Sequence, residues 1–138
     1  MSKVLLDTNV LIYALDAQSR YFQSAKRILT EPNYDLFLTT KVISEYFAVC
    51  SKMSVPFDLA LGFFSELREH AIILFPDNTS LTYFEDLIRT HQPRGNRVFD
   101  LEIVSIAIAH QIAQIATANT SDFRLFSEIS VLSLEIAE

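Results

Sequence analysis

The chain has one cysteine, no tryptophan, two glycines and four prolines in 138 residues. A lone Cys50 excludes an intrachain disulfide framework and a cysteine-based structural zinc site. So little Gly and Pro excludes collagen-like and low-complexity chains, and argues for long regular elements over a loop-rich scaffold. Cationic residues are scarce as well: 11 Lys and Arg against 17 Asp and Glu leave a net charge of −6. That balance speaks against a surface that coats nucleic acid, because phosphate neutralisation needs clustered cations. It leaves open an enzyme that works on nucleic acid from a carboxylate-lined metal site. Long hydrophobic runs are missing too. The most apolar stretch, Ile103 to Ile115, carries His110, Gln111 and Gln114 and is too short to span a bilayer. Asp7 interrupts the apolar N-terminal run and no small-residue cleavage site follows it, so a cytoplasmic protein with no membrane contact is expected.

What is present is apolar mass. Half of the residues are hydrophobic, eleven of them Phe, enough for the core of one domain over residues 1–138. Short apolar runs predict strands at Val4–Leu6, Asp35–Thr39, Ala71–Phe75, Ile115–Thr117 and Val131–Leu134. Between them, helices are expected over Val10–Leu15 with Thr8 or Asn9 as cap, over Arg20–Glu31, and from a Thr40 cap to about Met53. Further helices are expected over Phe57–His70, Ser80–His91 and Val98–Ile112. Gln92–Arg97, with Pro93 and Gly95, and Asn119–Phe123 read as loops. Alternating strands and helices imply an α/β fold with a parallel sheet covered on both faces. The working crevice of such a sheet lies beyond the carboxyl ends of its strands.

Four acids stand out by position. Asp7 directly follows the first strand, where Asp also serves as an ordinary cap or turn residue. Glu45 lies at the border of the apolar arc of Val42, Ile43, Tyr46, Phe47, Val49, Cys50 and Met53. Asp100 opens the most apolar helix, where a first-turn acid suits the helix dipole but needs a partner or a metal in apolar surroundings. Asp122 ends a polar cluster that starts at Thr117 and includes Asn119. Carboxylates without matching cations suit Mg²⁺ or Mn²⁺, which take oxygen ligands and keep water. Arg94, Arg97 and Arg124 are candidate phosphate contacts, or simply solvated loop residues. His70, His91 and His110 have no partner at metal-ligand spacing and read as structural. The apolar helix around Phe63-Phe64 reads as core, with one face available to a partner chain.

Leu5-Leu6-Asp7-Thr8-Asn9-Val10-Leu11-Ile12 resembles the opening of a PIN-domain ribonuclease, of the kind found in VapC-type toxins of bacterial toxin–antitoxin pairs. Ser44-Glu45, Phe99-Asp100 and Thr117-Ala118-Asn119 through Asp122-Phe123 follow in the family's order, at intervals of 38, 55 and 19 residues between Asp7, Glu45, Asp100 and Asn119. The resemblance spans essentially the whole chain. It implies a three-layer α/β/α sandwich with a central, mainly parallel sheet of four to five strands. It further implies an endoribonuclease using Mg²⁺ or Mn²⁺, RNA as substrate, a cognate antitoxin and a homodimer. Asp7, Glu45 and Asp100 match its three acidic metal positions, and Thr8 and Asn9 the residues that orient the first acid. Asn119 stands where many relatives carry a fourth Asp, and Asp122 is the nearby acid able to complete the set. The chain departs from the family twice: Asn119 brings one charge fewer, and His110-Gln111-Ile112-Ala113 lacks the usual Gly between the central helix and the next strand. Two other readings stay open. Val4-Leu5-Leu6-Asp7-Thr8 also suits the nucleophile strand of a haloacid-dehalogenase-type phosphatase, although that chemistry wants an acid where Asn9 stands. A non-catalytic RNA- or protein-binding module would keep the fold and lose turnover.

Overall fold

The computed structural model describes residues 1–135; the expected domain of 1–138 runs on past them. Five strands form one sheet: β1 (Ser2–Leu6), β2 (Tyr34–Thr39), β3 (Ala71–Leu74), β4 (Gln114–Thr117) and β5 (Ser130–Ser133). The helices are α1 (Thr8–Leu15), α2 (Phe22–Thr30), α3 (Thr40–Lys52), α4 (Phe57–Arg68), α5 (Asn78–His91), α6 (Arg97–Ala109) and the single turn α7 (Thr120–Phe123). All strand pairs are parallel, in the order β3-β2-β1-β4-β5. Val4, Leu5 and Leu6 in the middle of that sheet are fully buried, as expected of a strand covered on both faces by an unbroken apolar run. Among the described residues no helix is long and apolar enough to cross a membrane.

The order dictates where the helices go. From β1 the chain moves outward through β2 to β3, then returns across the sheet to β4 and β5. Crossovers between parallel strands are right-handed, so α1–α4 cover one face and α5 and α6 the other. Packing agrees, with α1 against α2 and α3, α3 against α4, and α5 against α6. This is the expected three-layer α/β/α sandwich, with a sheet that is wholly parallel. The direction of progression reverses between β1 and β4, and a crevice opens at that switch point beyond their carboxyl ends.

Local differences from the sequence expectation have local causes. Asp7, not Thr8 or Asn9, caps α1, and its side chain accepts from the Thr8 N–H. Thr39, not Thr40, caps α3 by accepting from the Val42 N–H. Strand runs into helix with at most one residue between them, so Asp7 after β1 and Thr39 at the end of β2 take the extended cap conformation. Asp77 and Ser80 close a reciprocal box at the start of α5, which therefore begins at Asn78. The expected loop over Asn119–Phe123 contains the short helix α7. On α4, Ala60 and Leu67 are buried while Phe57, Leu59 and Leu61 are largely exposed, so only one face of that helix is core. Cys50 is buried among apolar neighbours, as expected.

The missing glycine has a structural answer. After α6 the chain turns into β4 through Gln111, whose φ of 58° lies in the left-handed region. The Ile112 N–H donates to the Ala107 carbonyl at 2.8 Å and the Gln111 N–H to the Ile108 carbonyl at 3.1 Å. That pair of bonds is the Schellman closure of a helix, which favours Gly at the Gln111 position. Ile112, 2% exposed, supplies its apolar contact. A side chain in this conformation costs about 1 kcal/mol. Gln111→Gly is therefore expected to leave stability unchanged or raise it by up to about 1 kcal/mol, since glycine's greater freedom in the unfolded chain offsets part of the relief. Gln111→Ile should lower stability by more than that, and urea denaturation midpoints of the two variants against wild type measure both.

Candidate active site

Asp7 sits at the switch point because β1 ends there. Leu6 pairs with Ala116 across to β4, and the Asp7 N–H extends that ladder by donating to the Ala116 carbonyl at 3.0 Å. Asp7 thus lies beside Thr117. Its side chain is 8% exposed and is surrounded by neutral donors. Oδ1 accepts from the Thr8 N–H at 2.8 Å. Oδ2 accepts from the Thr117 hydroxyl at 2.8 Å and from Asn9 Nδ2 at 3.1 Å. Burial pushes the Asp7 carboxyl above its ordinary range; the Thr117, Thr8 and Asn9 bonds pull it back, and the Glu45 charge adds to the rise.

Asn9 and Thr117 fasten the two strand ends to each other. Asn9 Nδ2 also donates to the Thr117 hydroxyl at 3.2 Å, and Asn9 Oδ1 accepts from the Ala118 N–H at 3.0 Å. The Thr117 oxygen in turn accepts from the Asn119 N–H at 3.0 Å. Glu45, from α3, is reached by the Thr8 hydroxyl, which donates to Oε2 at 2.9 Å. Asn9 thus bonds Asp7, the acid it was expected to orient, whereas the Thr8 side chain bonds Glu45 and only its backbone N–H reaches Asp7.

Asp100, in the first turn of α6, is the acid on which the others converge. Burial pushes its carboxyl up to about 6, and the negative charges of Asp122, Asp7 and Glu45 add to the rise while Arg97 opposes it. Like-charge repulsion of this kind reaches only neighbouring groups, so Asp7, Glu45 and Asp122 lie near Asp100 at the same end of the sheet. They fit a hard divalent ion in kind, being oxygen donors of α1, α3, α6 and α7 or their caps. As they stand they are not drawn in around a point: among the described residues no group of three His, Cys, Asp or Glu side chains is gathered closely enough to hold a metal ion.

The cations correct the expectation that these acids lack matching charges. Arg97 bridges Asp100, with Nε 3.3 Å from Oδ2, and Asp122, with Nη1 3.0 Å from Oδ1. Lys41 lies 3.7 Å from Glu45 Oε1 and 3.8 Å from the centre of the Phe99 ring. Arg94 and Arg124 are exposed on the neighbouring surface and form no ion pair among the described residues. Asn119 is exposed and its side chain makes no cap hydrogen bond, so of the two candidates for a fourth position Asp122 is the one that acts on Asp100.

The family model of the PIN domain matches residues 4–130. The chain belongs to the PIN domain family. Among solved structures, this PIN domain is similar to VapBC-1 of nontypeable Haemophilus influenzae, with a TM-score of 0.73, 21% identity, and 96% of this chain and 98% of that one covered. It is similar to VapBC2 of Rickettsia felis, solved bound to a DNA fragment from its promoter, with a TM-score of 0.72, 21% identity and coverage of 95% and 98%. It also matches Mycobacterium tuberculosis VapC20, a sarcin–ricin loop cleaving toxin, at a TM-score of 0.65 and 13% identity, over 81% of this chain and 86% of that one. A search of curated proteins finds none that matches by sequence. The phosphatase reading falls with this assignment, and with Asn9, whose amide is committed to Asp7, Thr117 and Ala118.

Thr117, Lys41 and Arg97's bridging role escaped the sequence reading of this PIN domain. Thr117 had a signal, a hydroxyl closing an otherwise apolar strand next to the Asp7 register. Lys41 had one in its i,i+4 spacing to Glu45. Two outcomes follow for metal-free protein. The raised Asp100 means that the folded state binds protons more tightly than the unfolded chain, whose carboxyl titrates near 3.8. Stability should fall as pH rises from about 4 to 6 and stay lower above. Asp100→Asn removes that loss: thermal melts in chelator should show it more stable than wild type by on the order of 2 kcal/mol at pH 7.5, and equal to it near pH 3.5. Thr117→Val takes a donor from buried Asp7 and should lower stability at pH 7.5 by about 1.5–3 kcal/mol in the same melts.

Proposed function

We propose that this PIN domain is a metal-dependent endoribonuclease that hydrolyses RNA phosphodiester bonds, and that it serves as the toxin of a toxin–antitoxin pair. One observation carries the chemistry: Asp100 is kept half-buried although Asp122, Asp7 and Glu45 all resist its ionisation. Arg97 offsets only part of that cost, and acids perturbed by burial and by one another mark functional sites. Asp7, Glu45 and Asp100 would hold a Mg²⁺ or Mn²⁺ ion, with Asp122 joining directly or through water. The bound ion would supply an activated water and charge neutralisation at the phosphate.

The chain's own residues prepare that site. The Thr8 N–H, Thr117 and Asn9 orient Asp7, leaving it no rotation that keeps all its bonds. Thr8 steers Glu45 toward the same crevice. Lys41, beside Glu45, supplies positive charge where a polyanion must approach acids, and Arg94 and Arg124 are exposed cations near Arg97 and Asp122 in sequence. The toxin role and an antitoxin are supported by the resemblance to VapBC assemblies, and the exposed apolar face of α4 offers a surface to a partner chain or a second copy.

Cleavage of total RNA with Mg²⁺ or Mn²⁺ by wild type, Asp7→Asn and Asp100→Asn tests the reading. Discrete fragments from wild type are expected, with both variants at least about 100-fold slower. Equal cleavage by all three would sink it. A folded wild type that cuts no RNA would favour the non-catalytic binding module.

A further inference from the structure

Arg97 is the first residue of α6 and follows a loop, residues 92–96, in which Gln92 and Gly95 both have left-handed φ values of 45° and 56°. From there its guanidinium reaches acids on two elements. Nε lies 3.3 Å from Asp100 Oδ2 and Nη1 3.0 Å from Asp122 Oδ1, while Nη2 donates to the Asp122 carbonyl at 3.2 Å. The other side of the crevice is arranged differently, since Asp7 is held by neutral donors alone. A guanidinium keeps its charge at every pH the protein meets, so Arg97 can release these acids only by moving. Its side chain is 41% exposed, which leaves it room in water to do so.

We propose that Arg97 is a built-in competitor of the divalent ion, neutralising Asp100 and Asp122 in the ion-free protein and withdrawing from them when an ion enters. The proposal rests on the metal-site reading above. Two physical effects make the competition. A positive charge bonded to two of the four acids repels an incoming cation, and a fork that spans the Asp122 side chain and carbonyl holds that residue away from any other centre. Arg97 is thus a positioning residue, distinct from the acids that would touch the ion. A plain tie between α6 and α7 would stabilise the fold and leave ion affinity alone, and that difference can be measured.

The test is calorimetric titration of Mn²⁺ into wild type, Arg97→Met and Arg97→Lys, with no turnover involved. Arg97→Met should bind Mn²⁺ about two- to tenfold more tightly than wild type, and Arg97→Lys, charged but without the fork, should fall between. Equal or weaker binding by a folded Arg97→Met overturns the competitor role and leaves the metal site standing. No Mn²⁺ binding by any of the three overturns both. Should Arg97→Met fail to fold, the Arg97 Nε–H resonance of ¹⁵N-labelled wild type decides: it should shift and exchange faster with solvent at saturating Mg²⁺. A resonance that stays where it was while Mg²⁺ binds would sink the idea.

Discussion

Taking a carboxylate out of water is unfavourable unless donors replace its lost hydration, and around Asp7 neutral donors replace part of it with no cation in contact. A backbone N–H, a threonine hydroxyl and an asparagine amide surround it. Much of the central architecture follows from that arrangement. Thr117 can donate only because β4 lies in register with β1 and ends one residue beyond Ala116. Asn9 can donate only because Asp7 itself caps α1, which places position 9 in its first turn. A slip of one residue in the β1–β4 pairing would turn Thr117 to the other face and leave Asp7 buried with one donor fewer.

Sequence made the strands, their parallel arrangement and the four acids legible, because each rests on local signals: unbroken apolar runs, Pro and Asp breaks, and acids placed at strand ends. Arg97's role was not legible. Its three-residue spacing to Asp100 is visible, but the bond to Asp122 depends on α7 forming at all, and Thr120 to Phe123 carries too few residues to show helical periodicity. Gln111 shows the converse. The missing glycine is plain in the sequence, yet only the helix closure shows that the backbone keeps the left-handed turn and places a glutamine in it. Asp77 caps α5, and its reciprocal bond with Ser80 makes that helix begin two residues before the expected Ser80.

Charge explains why a protein with a net charge of −6 is still consistent with an RNA substrate. A crevice of four acids repels phosphate, and the proposed ion reverses that local field once bound. Lys41 is stacked on Phe99 beside Glu45, so one cation is fixed at the edge of the crevice independently of the ion. Arg94 and Arg124, free of ion pairs among the described residues, add charge that can follow a backbone. A broad basic surface would add non-specific affinity; cations set around a single crevice instead direct a phosphate to it.

The two sides of the crevice differ in how easily they can be rearranged. Neutral donors bound to Asp7 are parts of the sheet and of α1, and they cannot leave without breaking the pairing of β1 with β4. The cation on Asp100 and Asp122 is a half-exposed side chain at a helix start, next to a loop with two left-handed residues. Rigidity on the first side fixes where an ion would be centred; mobility on the second allows the acids to be balanced before the ion arrives. Were both sides held by arginines, the ion would have to displace two bonded cations. Were both held by neutral donors, four acids would face one another with no charge to oppose them, and the cost already seen at Asp100 would rise. One fixed side and one exchangeable side is the combination that lets an acid-rich crevice exist in a folded chain and still take up an ion.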